Sequence, residues 1–477
     1  MDNLLCDELV QEIFQKLPPS SSSSSSVSLV CKRWLLLYRT SKTSLSLNLT
    51  HQNSTIPSLS THLSHYPFLS SLSLLLPPDL QTTTPTIANF SDQLLLVVST
   101  YCSRLLSLRF LAGPVSRSSI VSLSSSCTHL ASLSINLYRP LFLKWLVNFP
   151  SLRELSIWVC QGEALEQETE ANMEDGFSSN DDFDAELGIE RLSVSGIRSD
   201  DSGLGWVWRS CTKLKKLQLR SCEGIGDGGS FSSFIMCLKA IEEVELRTCR
   251  SIVDGVLLKL VENSDSLTSL LVYDGGSRDG LLRFFSHCSC NLQKLDLRLP
   301  LDLNNDHLLA AAVNFRTLSS LRLQSCCLVR GEGLKALGVA MSSGLEELAL
   351  INCDVVEREP GLLATLGQNL KQLKKLDLSY NEMLLDKEFV SMLVSCYNLV
   401  DLKLRGCKGL TNLALTTMSK SCKRLENVDI MSCYGIEAEA IELLIRNSPK
   451  LRRVEVEQNK LSDAAKTRAS LRFIEIV

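Results

Sequence analysis

The feature that most constrains this chain is a sequence motif that recurs at almost even spacing over most of its length. Its clearest copy reads C-x-x-L-x-x-L-x-L-x-x-C and runs from Cys211 to Cys222. The first apolar residue of successive copies lies at positions 214, 241, 267, 292, 318, 345, 373, 399, 425 and 451, so the spacing is 25 to 28 residues. A fixed period of this size is typical of solenoids, in which each repeat packs mainly against its neighbours.

One copy of the motif predicts one short strand followed by one helix. In the segment 216–220, Leu217 and Leu219 are expected to be buried and the other three side chains exposed. Apolar residues at helical spacing follow, for example in 256–261 and 389–393. The pattern predicts an α/β leucine-rich repeat solenoid, curved, with parallel strands on a concave face and helices on a convex face.

The repeat weakens toward both ends and is interrupted once. Copies such as Leu45-Ser-Leu47 and Leu72-Ser-Leu74 precede the clear ones, and 471–477 predicts a strand that closes the last repeat. Residues 161–187 contain ten Asp or Glu and no Lys or Arg. We expect this insertion to be a solvated, disordered loop. The alternative is an acidic arm that binds a partner.

Composition narrows the classes of partner. The net charge of −4 and the pI of about 6.0 give no general attraction for nucleic acid or for an anionic membrane. The first residues lack the basic and apolar regions of a signal peptide. No apolar run approaches the roughly 18 residues of a membrane span. The expectation is a soluble protein of the cytoplasm or nucleus.

The 18 cysteines follow the repeat. Seven occupy its last position and five lie three residues before its first leucine, so most are expected to be buried, reduced thiols. The pairs Cys288-Ser-Cys290 and Cys326-Cys327 have the wrong spacing for a zinc knuckle, and the six histidines lie apart from any Cys-x-x-Cys. No metal site and no cofactor are expected.

Residues 2–38 do not fit the repeat. Apolar residues at helical spacing predict a helix that ends at Pro18-Pro19, and a polyserine run, 20–26, separates it from a second short helical segment. Two such helices carry more apolar residues than they can bury, which indicates docking on a partner. The alternative is that they cap the N-terminal end of the solenoid.

The two segments D-E-L-V-Q-E-I-F-Q-K-L-P and S-L-V-C-K-R-W resemble an F-box, and the whole chain resembles the F-box/LRR family. Two features depart from that pattern: Cys6 stands where the family has proline, and serines replace apolar residues before the second helix. The resemblance implies an F-box in residues 1–41 that binds a Skp-type adaptor and, through it, a cullin–RING scaffold. It also implies that the repeats, residues 42–477, bind a protein substrate for ubiquitination. The adaptor-facing or helix-locking positions that it implies are Leu5, Leu9, Ile13, Phe14, Leu17, Pro18, Val30 and Trp34.

One row of exposed strand positions is rich in arginine and aromatic residues. We hypothesise that this row binds an acidic or phosphorylated segment of the substrate, because guanidinium groups on adjacent strands bind carboxylate or phosphate bidentately. The alternative is that these are ordinary solvated residues, with Glu243 and Glu245 pairing with nearby arginines. The residues of the hypothesis are Trp158, Arg220, Arg247, Tyr273 and Arg298.

Three classes of function remain open. The first is a non-catalytic substrate-recognition subunit of a Skp–cullin–F-box (SCF) ubiquitin ligase. The second is a small-molecule receptor of the plant-hormone type, although the even repeats leave little room for the long loops that hold such ligands. The third is a scaffold unconnected with a ligase. An enzyme is the least expected class, because the sequence shows no catalytic triad, Cys–His pair or phosphate-binding loop.

Overall fold

The computed structural model describes residues 5–17, 26–49, 55–76, 85–163, 185–226, 228 and 231–477. The chain divides into two compact units, Met1–Ala240 and Ile241–Val477. This division differs from the predicted boundary between residues 41 and 42, which marks a change of motif and stays a prediction. Each unit is built from strands that alternate with helices.

Within the described residues, the first unit begins with helices and continues with parallel strands. Each described strand pairs with the next strand of the unit in parallel. Short 3-10 helices at Lys144–Asn148 and Phe234–Cys237 replace the longer helix in two repeats. The other elements are α1 (Asp7–Lys16), α2 (Lys32–Ser41), β1 (Ser44–Asn48), α3 (Thr55–Ser64), β2 (Ser71–Leu75), α4 (Pro85–Tyr101), β3 (Ser107–Pro114), α5 (Arg117–Ser126), β4 (Ser132–Arg139), β5 (Glu154–Glu163), β6 (Arg191–Ser195), α6 (Gly205–Ser210) and β7 (Lys216–Arg220).

The second unit continues the alternation, again with parallel pairing of successive strands. A 3-10 helix, Gln458–Lys460, follows its penultimate strand. The other elements are β8 (Glu243–Arg247), α7 (Val253–Asn263), β9 (Ser269–Tyr273), α8 (Arg278–His287), β10 (Lys294–Arg298), α9 (Asn305–Asn314), β11 (Ser320–Gln324), α10 (Gly331–Ala340), β12 (Glu347–Ile351), α11 (Asp354–Arg358), α12 (Leu362–Asn369), β13 (Lys375–Asp377), α13 (Asp386–Leu393), β14 (Asp401–Lys403), α14 (Asn412–Ser421), β15 (Asn427–Asp429), α15 (Ala438–Asn447), β16 (Arg453–Glu455), α16 (Asp463–Leu471) and β17 (Glu475–Ile476).

The predicted alternation of buried and exposed strand residues is present. In β7 the exposure pattern buries Leu217 and Leu219 and leaves the other three residues partly exposed. Equivalent leucines of neighbouring strands lie in register, as Leu295 does with Leu321. The fold class is therefore confirmed as an α/β leucine-rich repeat fold, in which buried leucines of neighbouring strands stack along the unit. In the described part of the chain, no helix combines the length and apolarity needed to cross a bilayer.

Each strand from β7 to β12 ends in a turn with a left-handed residue. Its φ lies between 48° and 60°, a region that few residues other than glycine adopt. In four of these turns the next residue is a cysteine, and the turn directs that cysteine into the core. The left-handed residues are Ser221, Thr248, Asp274, Leu299, Ser325 and Asn352.

The buried cysteines after the strands join neighbouring repeats. Cys353 Sγ lies 3.5 Å from the carbonyl of Leu323, and Cys407 Sγ lies 3.1 Å from that of Leu378. The Cys407 thiol thus donates to the preceding repeat, as Cys433 does to Leu404 at 2.9 Å. Cys353 Sγ also lies 3.3 Å from the carbonyl of Ile351 in its own repeat. As predicted, most of the cysteines are buried, and all of them are free thiols.

One repeat has an asparagine in place of this cysteine, which the repeat pattern does not predict. Asn381 is 1% exposed. Its Nδ2 donates to the carbonyls of Leu350 at 2.8 Å and Leu378 at 2.7 Å, and its Oδ1 accepts from the backbone N–H of Cys353 at 2.9 Å. The side chain therefore satisfies three buried backbone groups of two repeats.

In the first unit, a buried ion pair fixes the segment after β6. Arg139 Nε lies 2.6 Å from Asp201 Oδ1, and Arg139 Nη2 donates to the carbonyl of Gly196 at 2.6 Å. Asp201 Oδ2 also accepts from the backbone N–H of Arg198 at 2.7 Å. The side chains of Arg139 and Asp201 are only 16% and 4% exposed, so most of their charge is removed from water.

The acidic insertion is shorter than predicted. Residues 161–163 belong to β5, where Glu163 is in register with Arg139 of β4, so the prediction of a loop from 161 is wrong at its start. At the other end, Leu187 is buried and its backbone N–H donates to the carbonyl of Ser210 at 3.0 Å. Both ends of the predicted insertion therefore belong to the repeats, the first through strand pairing and the second through the buried Leu187. Residues 164–184 lie outside the described residues.

The predicted closing strand is present in part. Only Glu475–Ile476 form β17, which pairs in parallel with β16. The preceding residues of the predicted segment belong to helix α16, which ends at Leu471, and to the turn after it. Because β16 has a paired neighbour here, its edge is covered.

Candidate binding surfaces

The N-terminal helices α1 and α2 form a small core of their own. Val10, Phe14 and Leu37 are buried in it, and Trp34 packs against them. The rings of Phe14 and Trp34 meet edge to face, with 5.5 Å between centroids. This geometry is worth roughly 0.5 to 1.5 kcal/mol beyond the buried area. Among the predicted positions, Phe14 and Trp34 therefore lock the two helices together.

Polar contacts fix the start of α1 against α2. Arg33 Nη2 lies 2.6 Å from Asp7 Oδ1 and donates to the carbonyl of Leu5 at 3.0 Å. At the other end of the pair, Gln11 Nε2 donates to Thr40 Oγ1 at 3.0 Å. These contacts hold the helices at a defined orientation, so side chains on the outer flank of α1 have fixed positions.

An apolar stripe lies on the outer flank of α1. Leu5, Leu9 and Ile13 are 43%, 49% and 49% exposed. Because residues four positions apart lie on the same face of a helix, the three side chains form one row at α1. This row lies beside Val10 and Phe14, which face the core. We call these three residues the α1 stripe. It is an unpartnered apolar surface on a body too small to bury it.

Further apolar residues around α2 are exposed, and the sequence analysis named only one of them. Val30 is 59% exposed, and Leu29 and Leu36 are 85% and 62% exposed. The predicted residue Leu17 packs partly against the helix core, whereas Pro18 lies outside the described residues. The signal for Leu29 and Leu36 was their apolar character next to the V-C-K-R-W segment.

In the first unit, the predicted row of exposed strand residues is in register. Trp158 of β5 is paired with Ser195 of β6, which is paired with Arg220 of β7. Neighbouring strands lie about 4.8 Å apart. The guanidinium of Arg220 approaches Gln218 Oε1 at 3.5 Å, and its buried Nε has no hydrogen-bond partner within the described residues.

In the second unit, the row contains Arg247, Tyr273 and Arg298, again in register on adjacent strands. Both arginines are paired with an acidic residue of their own strand. Arg247 Nη2 lies 2.9 Å from Glu245 Oε2, and Arg298 Nη2 lies 2.7 Å from Asp296 Oδ2. The hydrogen bond to Asp296 raises the pKa of Arg298 above its usual range. This is the pairing that the alternative to the anion-binding hypothesis expects.

A cavity of about 400 Å³ lies on the strand face of the second unit. Charged side chains line it, and several pair with each other: Arg322 Nη2 lies 3.6 Å from Asp377 Oδ2, and Lys375 binds Glu347. Burial is the largest single effect on Glu347 and raises its pKa, but the hydrogen bonds from Lys375 and Ser320 together with the charges of Lys375 and Lys294 lower the pKa below its usual value. Small-molecule pockets are mainly apolar, so this cavity gives no support to a hormone-type receptor.

The leucine-rich repeats are recognised in both units. A family model described as Leucine Rich repeat matches residues 210–229 and 316–338. Among solved structures, the chain is similar to one in the complex of Rad7 and Elc1 from yeast, with 13% identity, a TM-score of 0.42, and coverage of 99% of this chain and 92% of that chain. It is also similar to the internalin InlF from Listeria monocytogenes, with 14% identity, a TM-score of 0.33, and coverage of 84% and 88%.

Proposed function

We propose that the chain is the substrate-recognition subunit of a Skp–cullin–F-box ubiquitin ligase. It binds a Skp-type adaptor through α1 and α2, and a protein substrate through the strand faces of its repeats. It promotes ubiquitination without catalysing it, and it acts in the cytoplasm or nucleus. The observation that carries the proposal is the α1 stripe, because it is exposed on a helix whose other side is locked by its own core.

The chemistry of this surface suits a helical partner. An amphipathic helix binds by placing side chains at spacings of three and four residues into an apolar groove. Removing apolar area from water contributes about 25 cal/mol per Å², and the entropic costs of association are subtracted from this gain. The exposed apolar residues around α2 add to this surface. Exposed apolar patches on a soluble protein mark sites at which a partner docks.

A charge in the α1 stripe is expected to abolish adaptor binding. Ile13→Asp should weaken the affinity for a Skp-type adaptor by about 100-fold or more, because the carboxylate would be desolvated in an apolar contact. Isothermal titration of the purified full chain with the adaptor measures this loss. Ile13 is half-exposed, so the variant keeps the helix pair folded. Trp34→Ala is less informative, since Trp34 supports the core.

Leu309→Asp is the matched control. Leu309 lies on α9 of the second unit and is 47% exposed, close to the exposure of Ile13. This variant should bind the adaptor as tightly as the unchanged chain, and circular dichroism should be the same for both variants. Failure of the unchanged chain to bind, or full affinity of Ile13→Asp, would refute the proposal.

For the substrate, we propose an acidic or phosphorylated segment that contacts Trp158 and Arg220. Arg220→Glu should reduce binding to phosphopeptides that the unchanged chain selects from a peptide array by about tenfold, since it reverses a charge available to the ligand. The matched control is Arg298→Glu, because Arg298 already binds Asp296. Equal losses in both variants, or no loss in Arg220→Glu, would exclude this assignment. Adaptor binding tests the ligase role separately.

A further inference from the structure

The loop between α8 and β10 contains one residue more than the loop between α14 and β15. The C-cap of α14 is Cys422, and the first leucine of the next copy of the motif is Leu425, three residues later. After α8 the C-cap is Cys288, and the leucine is Leu292, four residues later. The longer loop holds a second cysteine, Cys290, beside the first.

The two thiols of this loop lie against each other. Sγ of Cys288 is 2.7 Å from Sγ of Cys290. By contrast, the C-cap thiols of Cys127 and Cys422 donate to the carbonyls of Cys102 and Cys396 at 3.3 and 3.7 Å. Cys288 and Cys290 are 5% and 4% exposed, and the residue between them, Ser289, is exposed. The pair therefore lies directly beneath the surface, with each sulfur facing the other.

We propose that Cys288 and Cys290 are a reversible oxidation site, at which a hydroperoxide converts the two thiols into a disulfide within the loop. The thiolate of Cys288 attacks one peroxide oxygen, the O–O bond breaks, and the other oxygen leaves with a proton as water or an alcohol. Sγ of Cys290 then attacks the sulfenic sulfur of Cys288, and the hydroxyl leaves as water with the Cys290 proton. The two thiols lose two electrons, which the hydroperoxide gains.

The environment separates the roles of the two sulfurs. The hydrogen bond from the Cys290 thiol lowers the pKa of Cys288 although burial opposes it, and the same hydrogen bond raises the pKa of Cys290. At the matched helix ends, burial raises the pKa of Cys211 and Cys422 to about 12. Since the thiolate is the nucleophile, Cys288 reacts first and Cys290 resolves the sulfenic acid.

The test treats the full chain with hydrogen peroxide, blocks the remaining thiols with N-ethylmaleimide in denaturant, and measures tryptic peptide masses. Cleavage after Arg283 and Lys294 releases peptide 284–294, whose only cysteines are Cys288 and Cys290. After peroxide this peptide should be two hydrogens lighter than the dithiol form and carry no maleimide. Reduction with dithiothreitol before blocking should restore two labels.

Three controls make the result decisive. Cys211, in peptide 210–213, should keep its label, and Cys290→Ser should leave a sulfenic acid on Cys288 that dimedone traps. Cys6 is exposed and reports that the oxidant is active. A peptide 284–294 that keeps both labels while Cys6 is oxidised would overturn the proposal. A disulfide from either cysteine to a third one would also overturn it. Adaptor binding has no part in this test.

Discussion

Replacing Arg139 by methionine is expected to lower the free energy of unfolding of the first unit by about 3 to 5 kcal/mol. The substitution leaves the carboxylate of Asp201 buried without its counter-charge, and it removes the donor to the Gly196 carbonyl. Removing one partner of a buried pair costs more than the pair itself contributes, because the remaining charge stays out of water. Denaturation in urea, followed by tryptophan fluorescence, measures this change.

The fluorescence signal is specific because all five tryptophans, at positions 34, 145, 158, 206 and 208, belong to the first unit. Asp201→Leu added to Arg139→Met should recover about 2 kcal/mol, because the uncompensated charge is gone. Recovery should stay incomplete, since the backbone N–H of Arg198 loses its acceptor. If Arg139→Met alone lowered the free energy of unfolding by less than about 1 kcal/mol, the role assigned to this ion pair would be contradicted.

Replacing Asn381 by leucine is expected to lower the free energy of unfolding of the second unit by about 3 kcal/mol or more. Leucine has a similar volume but leaves the carbonyls of Leu350 and Leu378 and the N–H of Cys353 buried without this partner. Each such group costs about 1 to 3 kcal/mol. Far-ultraviolet circular dichroism during urea denaturation follows the loss, because the second unit contains no tryptophan.

Asn381→Cys is the matched control, because cysteine occupies this position in the adjacent repeats at Cys353 and Cys407. Its thiol should donate to the Leu350 carbonyl in the way that Cys407 donates to Leu378. We therefore expect it to lose about half as much stability as the leucine variant. Equal stability of Asn381→Leu and the unchanged chain would show that the three hydrogen bonds contribute nothing net.

The sequence predicts those features that depend on periodicity. The spacing of the leucines and the alternation within strands identify the fold, the register and the burial of residues such as Leu217 and Leu219. Helical spacing likewise places the residues of the α1 stripe and Phe14 on one helix, whereas Trp34 was predicted from the resemblance to an F-box. In these cases a local pattern and the tertiary packing impose the same requirement.

Features that depend on individual contacts were not predicted. Asn381 resembles an ordinary turn residue in the sequence, because its buried partners belong to other strands. Arg139 and Asp201 are 62 positions apart, and no motif joins them. For the arginine row, spacing predicted the register but not the pairing of Arg298 with Asp296, two residues earlier on the same strand face.

The thiol of Cys407 donates to the preceding repeat, and the thiols of Cys353 and Cys433 each lie within reach of a carbonyl of the preceding repeat as well as one of their own repeat. In a nearest-neighbour description, the contacts to the preceding repeat contribute to the coupling between repeats. Loss of one thiol therefore weakens one junction. The second unit would then unfold in two blocks separated at that junction, and the position of the cysteine would set where cooperativity breaks.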